Sequence, residues 1–132
     1  YSLASPVWSN YGLTRGLPIS CFSSYIADDM SRILFTHAEV GMMTKYGGGT
    51  AGHFAGLRPR GAVIKDNGFS SGAVHFMELF DNLINIVSQG SVRRGHFAPY
   101  LPVEHNDIEE FLNIGKEGHP IQESTYAVTV TD

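Results

Sequence analysis

The 132-residue chain is 42% hydrophobic and 17% charged with a net charge of −4, the balance of one ordinary globular unit and not of a disordered segment. It has no run of lysine or arginine, so it lacks the basic stripe with which a protein displaces counterions from a nucleic-acid polymer; a mononucleotide, which needs only one or two local cations, stays allowed. One cysteine cannot form an internal disulfide, no signal peptide opens the chain and no apolar run approaches a membrane span, which together predict a cytoplasmic setting.

In chain order, Leu17 to Ile26 is short, apolar and β-compatible, with Cys21 near its centre. Asp28 or Asp29 can cap a following helix, because a carboxylate there accepts the free N–H groups of the first turn. Ile33, Leu34, His37, Val40 and Gly41 fall at helical spacing, Met42 and Met43 lie near the end, and Gly47 to Gly49 stop the helix. A loop containing Pro59 leads to Val63 and Ile64, a short β piece. Ser70-Ser71-Gly72 then opens a second helix that runs to about Val87, with Val74, Met77, Phe80, Leu83, Ile84 and Val87 on one side. Phe97 to Leu101 reads as a strand, and Asn106 as the cap of a short helix with Glu109 as its capping-box partner. Tyr126 to Thr131 alternates apolar and polar and reads as a last strand. Strands alternating with helices predict an α/β architecture with parallel pairing.

Two glycine-rich turns bearing arginine stand out. The first is Gly47-Gly48-Gly49-Thr50-Ala51-Gly52, continuing through Leu57-Arg58-Pro59-Arg60-Gly61; the second is Ser88-Gln89-Gly90-Ser91-Val92-Arg93-Arg94-Gly95. Glycine lets a backbone approach a ligand and turn its N–H groups inward, and arginine grips phosphate with a planar fork. Neither turn is a Walker loop or a dinucleotide fingerprint, since Gly-Lys-Ser/Thr and the strand-first context are missing. Any one of Arg58, Arg60, Lys65, Arg93 and Arg94 alone reads as a solvated surface charge; their grouping around two such turns points to an anion. Cys21 reads equally as a small buried hydrophobe or as a redox thiol at the mouth of a site. The six histidines show no helical i, i+4 pair and no cysteine partner, so no metal site is expected. Glu104-His105-Asn106-Asp107 has the residue types of an acid–base cluster, but helix capping accounts for it more simply.

Taken together, four stretches resemble a known family: Pro18-Ile19-Ser20-Cys21; Gly47-Gly48-Gly49 with Leu57-Arg58-Pro59-Arg60-Gly61; Ser88 to Gly95 with Tyr100-Leu101; and His105-Asn106-Asp107-Ile108-Glu109-Glu110-Phe111-Leu112. In that order and spacing they are similar to the first part of the barrel domain of the large, catalytic subunit of class I ribonucleotide reductase. Each stretch alone is weak; four in register, spanning nearly the whole chain, are specific. Ser91, Arg94 and Glu104 depart from residues frequent in relatives, which touches the shape of the second loop more than the family.

The resemblance implies a segment, residues 1–132, of a ten-stranded α/β barrel, holding three or four of its strands and incomplete alone. It implies radical reduction of ribonucleoside diphosphates to deoxyribonucleotides, with a cysteine thiyl radical at the ribose and two further cysteines oxidised to a disulfide. Cys21 matches one of that pair. Ser5, Ser20, Cys21 and Gly49 match substrate contacts. Asp28, Asp29 and Met30, with Arg58 and Lys65, match an allosteric site for a nucleoside triphosphate effector, with Asp28 on its deoxyribose and Arg58 and Lys65 on its phosphates. A carboxylate repels phosphate, so Asp28 is expected at the far end of that site from the two cations. Gln89 and Arg93 match residues that relay effector identity to substrate choice. Implied partners are the rest of the large subunit, a second copy joined through helices near 29–46 and 72–88, and a metal-containing radical-generating small subunit, with thioredoxin or glutaredoxin as reductant. With one thiol, the segment alone is expected to be inactive. Two other readings remain at this point: a stand-alone nucleotide-binding regulatory module and a purely structural α/β piece.

Overall fold

The computed structural model describes residues 2–14, 18–88 and 94–131. Its frame is a sheet of four parallel strands in chain order: β1 (Cys21–Tyr25), β2 (Gly49–His53), β3 (Phe97–Pro102) and β4 (Ala127–Thr129). Parallel neighbours need crossovers. Helix α2 (Met30–Lys45) supplies the first and α3 (Ala73–Val87) the second; the short helix α4 (Ile108–Phe111) lies on the third. A further helix, α1 (Ser5–Asn10), with Pro6 in its first turn, precedes the sheet. The predicted α/β class and parallel pairing are therefore observed.

The caps follow from the sequence in one case and depart from it in two. Asp29 caps α2, its Oδ1 accepting the Arg32 N–H at 3.0 Å. The N-terminus of α3 is capped from elsewhere in the chain: Asp107 Oδ2 accepts the Ala73 N–H at 2.9 Å. Helix α4 starts after Asp107, not Asn106, and no side chain caps it, because the Asp107 carboxylate is already committed to α3. The expected Asn106–Glu109 capping box is thus absent.

The glycine run expected as a turn is a turn only at Gly47 and Gly48; from Gly49 it is strand β2, in register with β1 from Cys21↔Gly49 to Tyr25↔His53. Cys21 opens β1 instead of lying at its centre. Val63 makes a single antiparallel bridge to Phe69 across a small loop, in place of the expected β piece.

Burial alternates along the strands. Thr50, Gly52, Phe97, Pro99 and Leu101 face inward and are buried. Against them pack α2 through Ile33 and Val40, and α3 through Val74, Met77, Phe80 and Ile84. Phe80 is the hub: it stacks on Phe97 at 5.1 Å between ring centroids and meets Phe54 and His37 edge-on at 5.6 and 5.3 Å. The His37 Nε2–H also donates to the Leu79 carbonyl at 3.1 Å, joining the two helices. The opposite sheet face carries Cys21, Ser23, Gly49, Ala51 and Ala98, all exposed or half-buried. It is uncovered.

Candidate functional site

Because the strands are parallel and in register, the chain's candidate residues separate to the two ends of the sheet. At the amino ends, the Gly49 N–H donates to the Ser20 carbonyl at 2.7 Å, and Cys21 sits opposite Gly49 across the ladder. A side chain at residue 49 would bring its Cβ to 3.1 Å from that carbonyl, so glycine allows the close approach. The Cys21 thiol is exposed, and its nearest polar partner is Ser20 Oγ at 3.5 Å. Ser20, Cys21 and Gly49 are therefore together, on the open face, with the thiol accessible. Ser5 is exposed at the start of helix α1 and has no described contact with them.

Upward along this face the side chains grow. Ser23 faces Ala51, which faces Ala98; beyond them Tyr25, His53 and Tyr100 form a row across three strands, Tyr25 and His53 stacked at 6.2 Å. The face is roomy at the thiol end and filled at the other.

Past the carboxyl ends lie Asp28 and Arg58, joined by an ion pair of 2.7 Å from Nε to Oδ2. The expectation that they occupy opposite ends of a site is not met: they neutralise one another directly. Both side chains are about one-third exposed (38% and 33%), and such a pair is worth at most ~1 kcal/mol. Asp29 is engaged as the α2 cap, and Met30 is exposed on the first turn. Lys65 is exposed near the tip of the Val63–Phe69 loop, where no ion pair involves it among the described residues. Gln89 and Arg93 lie outside the described residues.

Arg60 and Arg94 also have carboxylate partners. Arg60 holds Glu110 with two bonds of 3.0 and 2.6 Å, which raises its already high pKa further, and Arg94 approaches Glu123 at 3.9 Å. The ends of the second turn are tied: the Gly95 N–H donates to Ser88 Oγ at 3.2 Å, and Gly95 packs against Thr44 of α2. These ends border a cleft of about 200 Å³ with Asp81, Asn85 and Ser124 on its wall. Among the described residues, no three histidine, cysteine or acidic side chains converge as a metal site, and no helix is long and apolar enough to cross a membrane.

The sequence reading missed His105 and Asp107 as a connected pair. Asp107 accepts backbone N–H groups of Arg60 and Ala73, while His105 reaches the Leu57 carbonyl. Their spacing, two residues apart, was visible; their distant partners were not.

The comparisons with known proteins point to one family. The family model for the ribonucleotide reductase barrel domain matches residues 19–132. The alpha subunit of ribonucleoside-diphosphate reductase from Chlamydia muridarum is 33% identical over 117 residues, 88% of this chain and 11% of the relative. A vitamin B12-dependent ribonucleoside-diphosphate reductase from Mycobacterium tuberculosis is 35% identical over 130 residues, 97% of this chain and 19% of the relative. The solved structure of the Actinobacillus ureae class Id ribonucleotide reductase alpha subunit is 52% identical, with a TM-score of 0.85 over 98% of this chain and 23% of its own. The chain thus spans between about a tenth and a quarter of these relatives' lengths. A four-stranded parallel sheet open on its small-residue face is what a part of a barrel looks like, and on these matches the chain belongs to the ribonucleotide reductase barrel-domain family.

Proposed function

We propose that this chain is part of the large subunit of a class I ribonucleoside-diphosphate reductase, contributing one redox-active cysteine and the specificity effector site. The observation that carries the reading is the convergence of Ser20, an accessible Cys21 thiol and Gly49 at one end of an uncovered sheet face. Two of the residues expected for a nucleotide effector, Asp28 and Arg58, meet past the other end, which supports an effector site there. The 52% identity to a class Id alpha subunit supports class I.

In this reading a diphosphate lies against the backbone at Gly49 and Ser20, with Ser5 a further contact. Replacing the ribose 2′-hydroxyl by hydrogen releases water and takes two electrons and two protons, which two thiols supply as they close to a disulfide. Cys21 is one thiol; the second belongs to the remainder of the subunit, because this sequence has one cysteine. The radical that starts the chemistry comes from a metal-containing small subunit, and thioredoxin or glutaredoxin re-reduces the disulfide. At the other end, the Arg58 guanidinium exchanges the Asp28 carboxylate for an effector phosphate. This frees Asp28 to accept a hydrogen bond from the deoxyribose, while Lys65 adds a second cation; Asp29 and Met30 complete the rim. Helix α2 runs from that rim to Thr44 against Gly95, a length of roughly 24 Å at 1.5 Å per residue. It thereby links the effector end to the turn whose Gln89 and Arg93 would read it. The outer side of α2, with Leu34, Phe35 and Met42 exposed, suits a second copy across a two-fold axis. A cytoplasmic enzyme fits a single unpaired thiol.

In the assembled enzyme, Cys21→Ser is expected to abolish reduction and to leave effector affinity, read by calorimetry with deoxynucleoside triphosphates, at the parent value. Reduction that survives the change removes Cys21 from the redox pair. Arg58→Ala is expected to weaken effector binding by about 10-fold or more, since charge-assisted bonds are worth ~1.5–3 kcal/mol; unchanged binding would remove Arg58 from the site.

A further inference from the structure

We propose that His105 and Asp107 are positioning residues for effector recognition: they fix the backbone on both sides of Arg58 and so set the direction from which its guanidinium meets a phosphate. The inference rests on Arg58 being an effector ligand.

Arg58 sits half-buried on a loop whose flanks are held from below. The His105 Nε2–H donates to the Leu57 carbonyl at 2.8 Å, immediately before Arg58. Two residues after Arg58, the Arg60 N–H donates to both Asp107 oxygens at 3.0 and 3.2 Å. The two anchors are themselves joined, the Asp107 N–H donating to His105 Nδ1 at 3.1 Å. That bond fixes the imidazole tautomer, because the nitrogen that accepts cannot carry the proton and Nε2 must. Asp107 is 6% exposed and its Oδ2 also accepts from Ala73, so the same carboxylate ties the loop to the N-terminus of α3.

The packing leaves little slack. Gly72 has φ 92°, and a Cβ there would lie 2.8 Å from Asp107 Oδ2 and 2.9 Å from the Arg60 Cβ. Arg60 itself is a strut: its guanidinium is taken up by Glu110 of α4. Arg58 turns the other way, to Asp28. A residue merely needed for folding would lower stability and leave the affinity of the folded protein unchanged; a positioning residue lowers affinity in protein that remains folded.

The test uses the complete large subunit with its small subunit. His105→Ala removes the bond to Leu57, and His105→Gln restores an amide donor of similar reach. His105→Ala is expected to weaken deoxynucleoside triphosphate binding by about 10-fold, the equivalent of one lost hydrogen bond. Reduction at saturating effector should stay within about twofold of the parent, and His105→Gln should recover most of the lost affinity, as the surviving bond implies. Unchanged affinity in His105→Ala overturns the proposal, as does a glutamine variant no better than alanine, or a saturated rate that falls in step with affinity. Failure of the parent to bind any effector overturns both this proposal and the reading of Arg58; binding by the parent with an indifferent alanine variant overturns this one alone. Asp107→Asn, which sets an amide donor against backbone donors, should weaken binding at least as much. If that variant does not fold, the His105 pair still decides.

Discussion

The two faces of the sheet are built from the same strands and do opposite work. On the covered face, Thr50, Gly52, Phe97 and Leu101 are buried under two helices, and the rings of Phe54, Phe80 and Phe97 interlock. On the open face, Cys21, Ser23, Gly49, Ala51 and Ala98 leave a shallow surface that rises toward Tyr25, His53 and Tyr100. Successive side chains of a strand point to opposite sides, so each strand supplies core packing and an open floor in alternation. The comparison teaches where to find each property: free energy of folding behind the sheet, an accessible thiol in front of it.

The sharpest way to break this division is at Phe80. It is fully buried and meets three aromatic rings, so Phe80→Ala should destabilise by about 3–5 kcal/mol in urea unfolding. A much smaller loss would mean that the covered face is not the true core. Gly52→Ala is next. Its added Cβ would lie 2.8 Å from Phe97 and 2.9 Å from Phe54, an overpacking that costs about 1–3 kcal/mol. The one-methyl change at the neighbouring position on the other face, Ala51→Gly, removes no buried packing and should cost less, chiefly through the ~0.5–1 kcal/mol that glycine loses within an element.

The covered face was readable in the sequence and the open face was not. Helix α3 announced itself through apolar residues at helical spacing, and α2 through that spacing and its Asp29 cap; both end where glycine or the chain's polarity dictates. Strand β2 was hidden because Gly49, Ala51 and Gly52 are poor strand formers. What makes this segment a strand is the pair of neighbours β1 and β3, through contacts distant in sequence. Helix α1 escaped for want of any apolar period. At the site, the structure sets Ser20, Cys21 and Gly49 side by side, three positions that the resemblance, and no local pattern, had singled out as substrate contacts. The Asp28–Arg58 pair was misjudged, because an argument about repulsion from phosphate says nothing of where an unliganded guanidinium rests. Asp107 was assigned to its nearest helix although its partners lie on α3 and on the Arg58 loop. Local capping rules favour the nearest donor; a buried carboxylate answers to whichever N–H groups the fold brings close.

A smaller effect probes the seam between the faces, where α2 begins. Asp29 accepts the Arg32 N–H from an exposed position, so Asp29→Ala should cost about 1 kcal/mol of stability, the usual worth of an N-cap. The same substitution also tests the effector rim. If Asp29 acts only as a cap, affinity for deoxynucleoside triphosphates in the assembled enzyme will follow the parent; a several-fold loss would give it a direct share in binding.

The smallest expected change in stability is at the residue expected to matter most for reduction. Cys21 is exposed at the edge of the open face, and its one described polar contact is a long one to Ser20. Exchanging its sulfur for oxygen therefore removes no core packing and buries no unsatisfied group. Cys21→Ser should leave the unfolding free energy within about 0.5 kcal/mol of the parent, as for surface substitutions generally. A loss of 2 kcal/mol or more, on the order of a buried polar group left unpaired, would mean that the thiol is packed in the native protein and that the open face is closed. A near-zero change in stability beside a complete loss of reduction would separate the two faces as cleanly as any single substitution can. It would show that strand β1 holds Cys21 in place without relying on it.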